Sequence, residues 1–176
     1  EGDAAARRIG FFHWELEYPE VFFTEEGTLR PDPGFDALLG NPPWDRVRFA
    51  YKEFFKYRNA EISRASTASA AGREIERLRH KEPELWDEYT KAEQESQSLT
   101  AFFRECREYP LATAGSHQNY NPLIQERSIR LASKSAHIGM ITPTGVVTDY
   151  GNRDFVTRLF RAGLVVSLLD FDNKGL

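Results

Sequence analysis

The residues best suited to do chemistry stand four in a row, Asn41, Pro42, Pro43 and Trp44, directly after the short apolar run Phe35–Leu39. Proline has no N–H, so two in succession leave the surrounding carbonyls with few local donors and turn them outward as acceptors. Asn41 adds a side-chain carbonyl acceptor, and Trp44 adds a large flat face. Two acceptors beside a stacking plane suit an exocyclic amino group on a planar ring. Such an amine is a poor nucleophile, because its lone pair is delocalised into the ring. Accepting its two hydrogens localises the lone pair and lets it attack an electrophilic methyl group. A base in a duplex must first be flipped out, and an aromatic face offsets part of that unstacking cost. Pro-Pro after a strand is also ordinary punctuation, and a tryptophan there is also ordinary core, so the four residues alone leave those readings open.

The elements around the turn give it a place. FDALLG reads as a buried strand over Phe35–Leu39, ended by glycine, and NPPW forces a sharp turn at its carboxyl end. That end is where open α/β sheets place their ligands. Upstream, FFHWELEYPEVFF reads as core aromatics rather than a nucleic-acid platform, and residues 27–34 as a turn-rich loop. Residues 46–118 read as a mainly helical insertion. Within it SRASTASAAG (63–72) is a flexible joint or weak helix, Pro83 opens an amphipathic helix of about 24 residues with Cys106 on its apolar face, and 109–118 is a loop. From 119 the pattern alternates. Asn121 caps a helix running to about Ser135, His137–Ile141 is a strand broken by Thr142-Pro143-Thr144-Gly145, Asn152 or Asp154 caps a helix ending at Gly163, and Leu164–Phe171 is a buried strand. Strand, helices, strand, helix, strand is the grammar of a mostly parallel α/β sheet.

Composition narrows the class. With 176 residues, 40% hydrophobic and 28% charged, the chain is one domain's worth and has material for a core. No apolar run approaches the roughly 18 residues of a membrane span. No initiator Met or apolar signal core appears at Glu1, so the chain reads as cytoplasmic and cut from something longer. A single cysteine excludes an internal disulfide framework and fits a reducing compartment. The net charge of −4 hides a pattern: residues 46–81 carry ten Lys/Arg against four Asp/Glu, and 82–108 carry three against eight. The basic stretch either faces phosphates or is a solvated helical face paired with the acidic stretch that follows. His13, His80, His117 and His137 have no metal-ligand spacing, so no metal site is expected.

FDALLGNPPW resembles the catalytic motif of amino-methylating, S-adenosylmethionine-dependent methyltransferases, whose consensus is Asn/Asp/Ser-Pro-Pro-aromatic after a strand. With HWELEYPEVF upstream, and HIGMITPTGVVTDYGNRDF and SLLDFDN downstream, the chain is similar to the long DNA adenine-N6 methyltransferases of restriction–modification and phage-defence systems, the type IIG polypeptides included. The resemblance covers most of the chain, more loosely over 46–118. It implies a partial Rossmann-like methyltransferase domain with a helical insertion, over residues 1–176, acting on double-stranded DNA. It assigns the Asn41 side-chain oxygen and the Pro42 carbonyl to the target amine as catalytic groups. Pro43 shapes the turn, and Trp44 stacks on the flipped adenine.

The departures are equally informative. No glycine-rich strand–loop–helix for S-adenosylmethionine occurs in residues 1–34, so the cofactor residues are expected upstream. The target recognition domain and a second base-contacting aromatic are expected beyond Leu176. The chain alone is therefore expected to be inactive, with little affinity for the cofactor. NPP-aromatic turns also occur in protein-glutamine and RNA-guanine methyltransferases; the insertion length and the HWELEYPEVF block favour DNA. A third reading is a non-catalytic DNA-docking or assembly module.

Overall fold

A computed structural model describes residue 10, residues 12–114 and residues 118–171. Helices and a small parallel sheet make an α/β arrangement divided into two compact units. One unit runs up to Pro42 and takes in Ile124–Thr142; the other takes Pro43–Leu123 and resumes at Pro143.

The first unit is built on two strands. Strand β1 (Phe35–Gly40) pairs in parallel with β2 (Ala132–Met140), placing Leu38 opposite Ile138 and Gly40 opposite Met140, with an irregularity between Phe35 and Ala37. The ladder closes at its start because Gly34 has no side chain. Its φ is +126°, and a Cβ there would lie 2.6–2.7 Å from backbone atoms of Leu131, Ala132 and Ser133. Asp32 accepts the Lys134 N–H at 2.9 Å through its carboxylate, and the Ser133 hydroxyl donates to Asp36. Two short helices precede the strand, α1 (Trp14–Glu17) and α2 (Pro19–Phe22, with proline at its first position). Trp14, Tyr18 and Phe22 each meet the Phe35 ring edge to face, with centroids 5.5–5.7 Å apart. These aromatics pack on one another, but of the four only Phe22 is buried and Tyr18 is 41% exposed, so the run expected as core is a partly exposed cluster.

The second unit is helical: α3 (Tyr51–Phe55), α4 (Ala60–Ser63), α5 (Ala68–Lys81) and α6 (Pro83–Glu105). Local chemistry sets their ends. Asn59 Oδ1 accepts the N–H groups of Glu61 and Ile62, and Thr67 Oγ1 accepts that of Ala70. The stretch 63–72, expected as a flexible joint or weak helix, thus contains a capped helix start. Helix α5 stops at Lys81 because Glu82 precedes proline and takes an extended φ of −141°. Arg107, just past α6, has a φ of +57°, the left-handed step that ends many helices. Phe55, Ile62, Ala71, Ile75, Leu78 and Tyr89 form the core. Burying Phe55 and Ile62 completely contributes roughly 2–3 kcal/mol each. Tyr89 stacks on Phe55 at 5.5 Å and donates its hydroxyl to Glu93 at 2.9 Å; burial first, and then the Glu93 carboxylate, push its pKa up to about 12.

Three expectations are corrected downstream. Helix α7 (Tyr120–Leu131) has Asn121 and Pro122 inside it rather than at its cap, and it ends at Leu131 instead of Ser135. Strand β2 starts at Ala132 rather than His137, because distant partners at Asp32, Gly34 and Asp36 hold Ala132–Ala136 extended. The Leu164–Phe171 run is not a strand. After α8 (Gly145–Thr148), a 3-10 turn (Tyr150–Asn152) and α9 (Arg153–Arg161), the chain turns at Gly163, whose φ is +69°. Beyond it no strand pairs with residues 164–171 among the described residues, and Val166 is 91% exposed. An apolar run is a buried strand only when a neighbour supplies ladder bonds and both faces are covered. The same reason corrects β1: expected as buried, it has one neighbouring strand and leaves Leu39 93% exposed.

Gly34→Ala combines overpacking against backbone with a φ foreign to alanine, so a loss of about 3 kcal/mol or more is expected in urea unfolding. Tyr89 ties alkaline stability to the helical core. With its folded pKa raised, its contribution is complete below about pH 10 and is lost as pH rises through about 12. Unfolding followed from pH 9 to 12 should therefore show a smaller decline in Tyr89→Phe than in the wild type.

Candidate functional site

Both strands of the sheet run the same way and end side by side. The Ile141 N–H donates to the Gly40 carbonyl at 2.9 Å, extending the ladder by one bond past β1. Asn41 follows at once, exposed, and Pro42 is buried beside it. The neighbouring exit from β2 is Ile141-Thr142, which leads into Pro143. The first unit therefore presents Asn41 and Pro42 at the carboxyl ends of two adjacent parallel strands.

Pro43 and Trp44 belong to the second unit. Trp44 is 56% exposed and is a member of neither buried cluster, so it is not a core residue. The segment after it is fastened down. The Asp45 carbonyl accepts the Tyr120 N–H at 3.1 Å, Arg46 and Asn119 form an antiparallel bridge, and the Val47 N–H donates to the Gln118 carbonyl at 2.9 Å. Val47 is buried with Ala112 and Leu123, against Phe103, Tyr109 and Tyr120. Trp44 thus projects from a segment whose following three residues are held by backbone bonds and a small apolar cluster.

The other end of the second unit contributes the turn after β2. Val146 N–H donates to the Pro143 carbonyl and Thr148 N–H to that of Thr144, while the buried Asn152 side chain donates to the Gly145 carbonyl at 3.1 Å. Asn152 caps α9 by position, but its side chain holds this turn instead. Thr142-Pro143-Thr144-Gly145 therefore has an internal structural reason for its shape.

The electrostatics of the turn are neutral. Asn41 and the carbonyl of Pro42 are uncharged acceptors across the physiological range. Tyr89 and Glu26, whose pKa values are shifted, are not part of the turn; the Thr24 hydroxyl holds Glu26 below the ordinary carboxylate value. An open depression of about 810 Å³ lined by Arg58, Glu82, Pro83, Glu84, Leu85 and Glu88 contains no residue of the turn. No cluster of three or more His, Cys, Asp or Glu able to hold a metal occurs among the described residues.

The described residues do not assemble the elements that usually hold S-adenosylmethionine. Its amino acid and ribose are usually held by a glycine-rich loop after one strand and an acid after the next. Among the described residues, Gly34 precedes β1 and is taken up by close packing on the start of β2, and no glycine-rich loop follows either strand into a helix of comparable length. The described residues do not make a complete cofactor pocket. No described helix is long and apolar enough to cross a membrane.

Sequence reasoning passed over Gln118. It is only 4% exposed, and neither of its amide atoms has a hydrogen-bond partner among the described residues; Asn119 Oδ1 is likewise buried without one among them. Glutamine is usually exposed, so nothing local marked it as interior. A buried amide without partners costs about 1–3 kcal/mol. Gln118→Met should therefore raise stability, by about 1 kcal/mol in urea unfolding. A comparable loss would show instead that the amide holds an ordered water.

No family model matches the chain, and neither the curated proteins nor the solved structures give a match.

Proposed function

We propose that this chain carries the amine-binding part of an S-adenosylmethionine-dependent DNA adenine-N6 methyltransferase of the restriction–modification or phage-defence kind. In this reading the two parallel strands belong to a Rossmann-like sheet, and 46–118 is an insertion in it. The observation that carries the reading is the placement of Asn41 and Pro42 directly after β1, beside the end of the parallel strand β2, where open α/β sheets bind ligands. The exposure of Trp44 adds to it.

Each residue then has a task on the target base. Asn41 Oδ1 and the Pro42 carbonyl accept the two hydrogens of the adenine amine and hold its lone pair out of the ring. Pro43 has no N–H to compete for those acceptors and keeps the turn in shape. Trp44 presents its face to the flipped base. S-adenosylmethionine supplies the methyl group in this reading. The described residues act on the amine.

The test uses the intact protein, duplex DNA and quantification of N6-methyladenine. Asn41→Ala should lower turnover about 100-fold or more while leaving the unfolding curve unchanged, the usual cost of deleting a preorganised electrostatic partner. Trp44→Ala should weaken binding of a duplex with a destabilised target adenine by roughly 1–3 kcal/mol, and Trp44→Phe should keep much of that binding. Normal methylation by Asn41→Ala would reduce NPPW to a structural turn.

A further inference from the structure

The helical unit has a charged surface that the amine site does not use. Residues 46–58, RVRFAYKEFFKYR, hold five cations and a single acid, Glu53, interleaved with five aromatics. The fold separates the two kinds of side chain. Phe55 is fully buried, and Phe49, Tyr51 and Phe54 pack against the same core. Arg46, Arg48, Lys52 and Lys56 remain exposed, and Tyr57 is 89% exposed.

The expectation that these charges pair with the acidic stretch holds for one residue. Arg58 meets Glu88 at 3.5 Å and lies over the Phe54 ring. Further on, Arg77 and Arg79 pair with Glu74 and Glu76 of their own helix. Arg48, Lys52 and Lys56 have no carboxylate within ion-pair distance among the described residues, Glu53 included. Lys56 lies 5.2 Å from the neighbouring Tyr57 ring.

Two of the three share a helical face. Lys52 and Lys56 are four apart on a helical backbone, Lys56 being the αR residue that ends α3, so they share a face with a rise of about 6 Å between them. Arg48 stands four residues before Lys52 and four after Trp44. Four residues of chain span no more than about 14 Å, so Arg48 lies within about 14 Å of the proposed stacking residue along the backbone. Three exposed cations that follow Trp44 in the chain, with no carboxylate partner among the described residues, match a nucleic-acid strand, whose phosphates flank every flipped base.

We propose that Arg48, Lys52 and Lys56 form a phosphate-binding strip for the DNA strand that carries the target base. The proposal rests on the methyltransferase reading for its substrate and for the role of Trp44. Its contacts are to backbone, so the strip sets affinity and position along the duplex and carries no base preference.

Fluorescence anisotropy of the full chain with a labelled mixed-sequence duplex, titrated between 50 and 200 mM salt, tests it. Each phosphate contact contributes about 0.9 to the slope of log affinity against log salt. The triple variant Arg48→Gln/Lys52→Gln/Lys56→Gln should lower the slope's magnitude by roughly 2 to 3, equally for unrelated sequences. Arg77→Gln/Arg79→Gln, which removes cations already paired, should change it little. Arg48→Lys in place of Arg48→Gln should restore about one contact, which separates charge from any effect on folding. An unchanged slope in the triple variant, or a wild type without salt-dependent binding, overturns the strip. Asn41→Ala must keep the wild-type slope. If it loses methylation while the triple variant keeps the slope, the catalytic reading stands and the strip falls; if it methylates normally while the triple variant loses slope, the reverse holds.

Discussion

Parallel pairing of Phe35–Gly40 with Ala132–Met140 joins segments about a hundred residues apart, as the Asp32–Lys134 bond shows with a separation of 102. Parallel strands cannot be joined by a tight turn, so a crossover must intervene. The entropy of closing it grows only logarithmically with length, about 0.6 kcal/mol for each doubling. A whole helical unit can therefore occupy the crossover at modest cost, provided that the ladder's first contacts are good. Those contacts are Gly34 on the Leu131–Ser133 backbone, Asp32 on Lys134 and Ser133 on Asp36. They hold the start of the ladder; past the shift between Phe35 and Ala37 the pairing runs from Ala37 opposite His137 to Gly40 opposite Met140, which leaves Asn41 at the ladder's end.

The helical unit is stabilised independently of that ladder. Tyr89 is in ring contact with Phe49, Phe54, Phe55 and Trp86, which ties one long helix to the short ones before it. A second, smaller cluster around Val47 and Leu123 secures the segment that follows Trp44. Packing thus accounts for the inward face of residues 46–58, and the outward cations are left available because their neighbours' hydrophobic contacts hold the backbone.

The parts of this structure legible in the sequence are those decided locally. The strand before NPPW, the Pro83 start, the Gly163 stop and the long helix between Pro83 and Glu105 all follow from residue preferences within a turn or two. The start of β2 was not legible, because Ala-Ser-Lys-Ser-Ala has no strand signature and is held extended by residues in the 30s. The Leu164–Phe171 run failed for a related reason: periodicity reports what a segment prefers to bury, and pairing depends on a partner. At the turn, the position of Asn41 and Pro42 after a strand was legible and Trp44's exposure was not, since tryptophan after a turn packs inward as readily as outward. Gln118 was invisible because its burial is a property of the segment it pairs with, Asp45–Val47.

In the proposed function, two kinds of recognition are kept apart along the chain. The turn offers neutral acceptors, whose strength depends on direction and on exclusion of water and changes little with salt or pH near neutrality. The segment after it offers unpaired cations, whose attraction is long-ranged, indifferent to direction and screened over about 8–10 Å at ordinary ionic strength. A site that mixed the two would place a cation beside an amine required to act as a nucleophile, and the cation would oppose any positive charge on that nitrogen. Arg46 and Arg48 begin only after Trp44 and Asp45, and Asp45 places a carboxylate between the stacking face and the first arginine in sequence. In the proposed function, the order acceptor, acceptor, ring, acid, base lets the chain hold a polyanion strongly without making its reactive amine harder to alkylate.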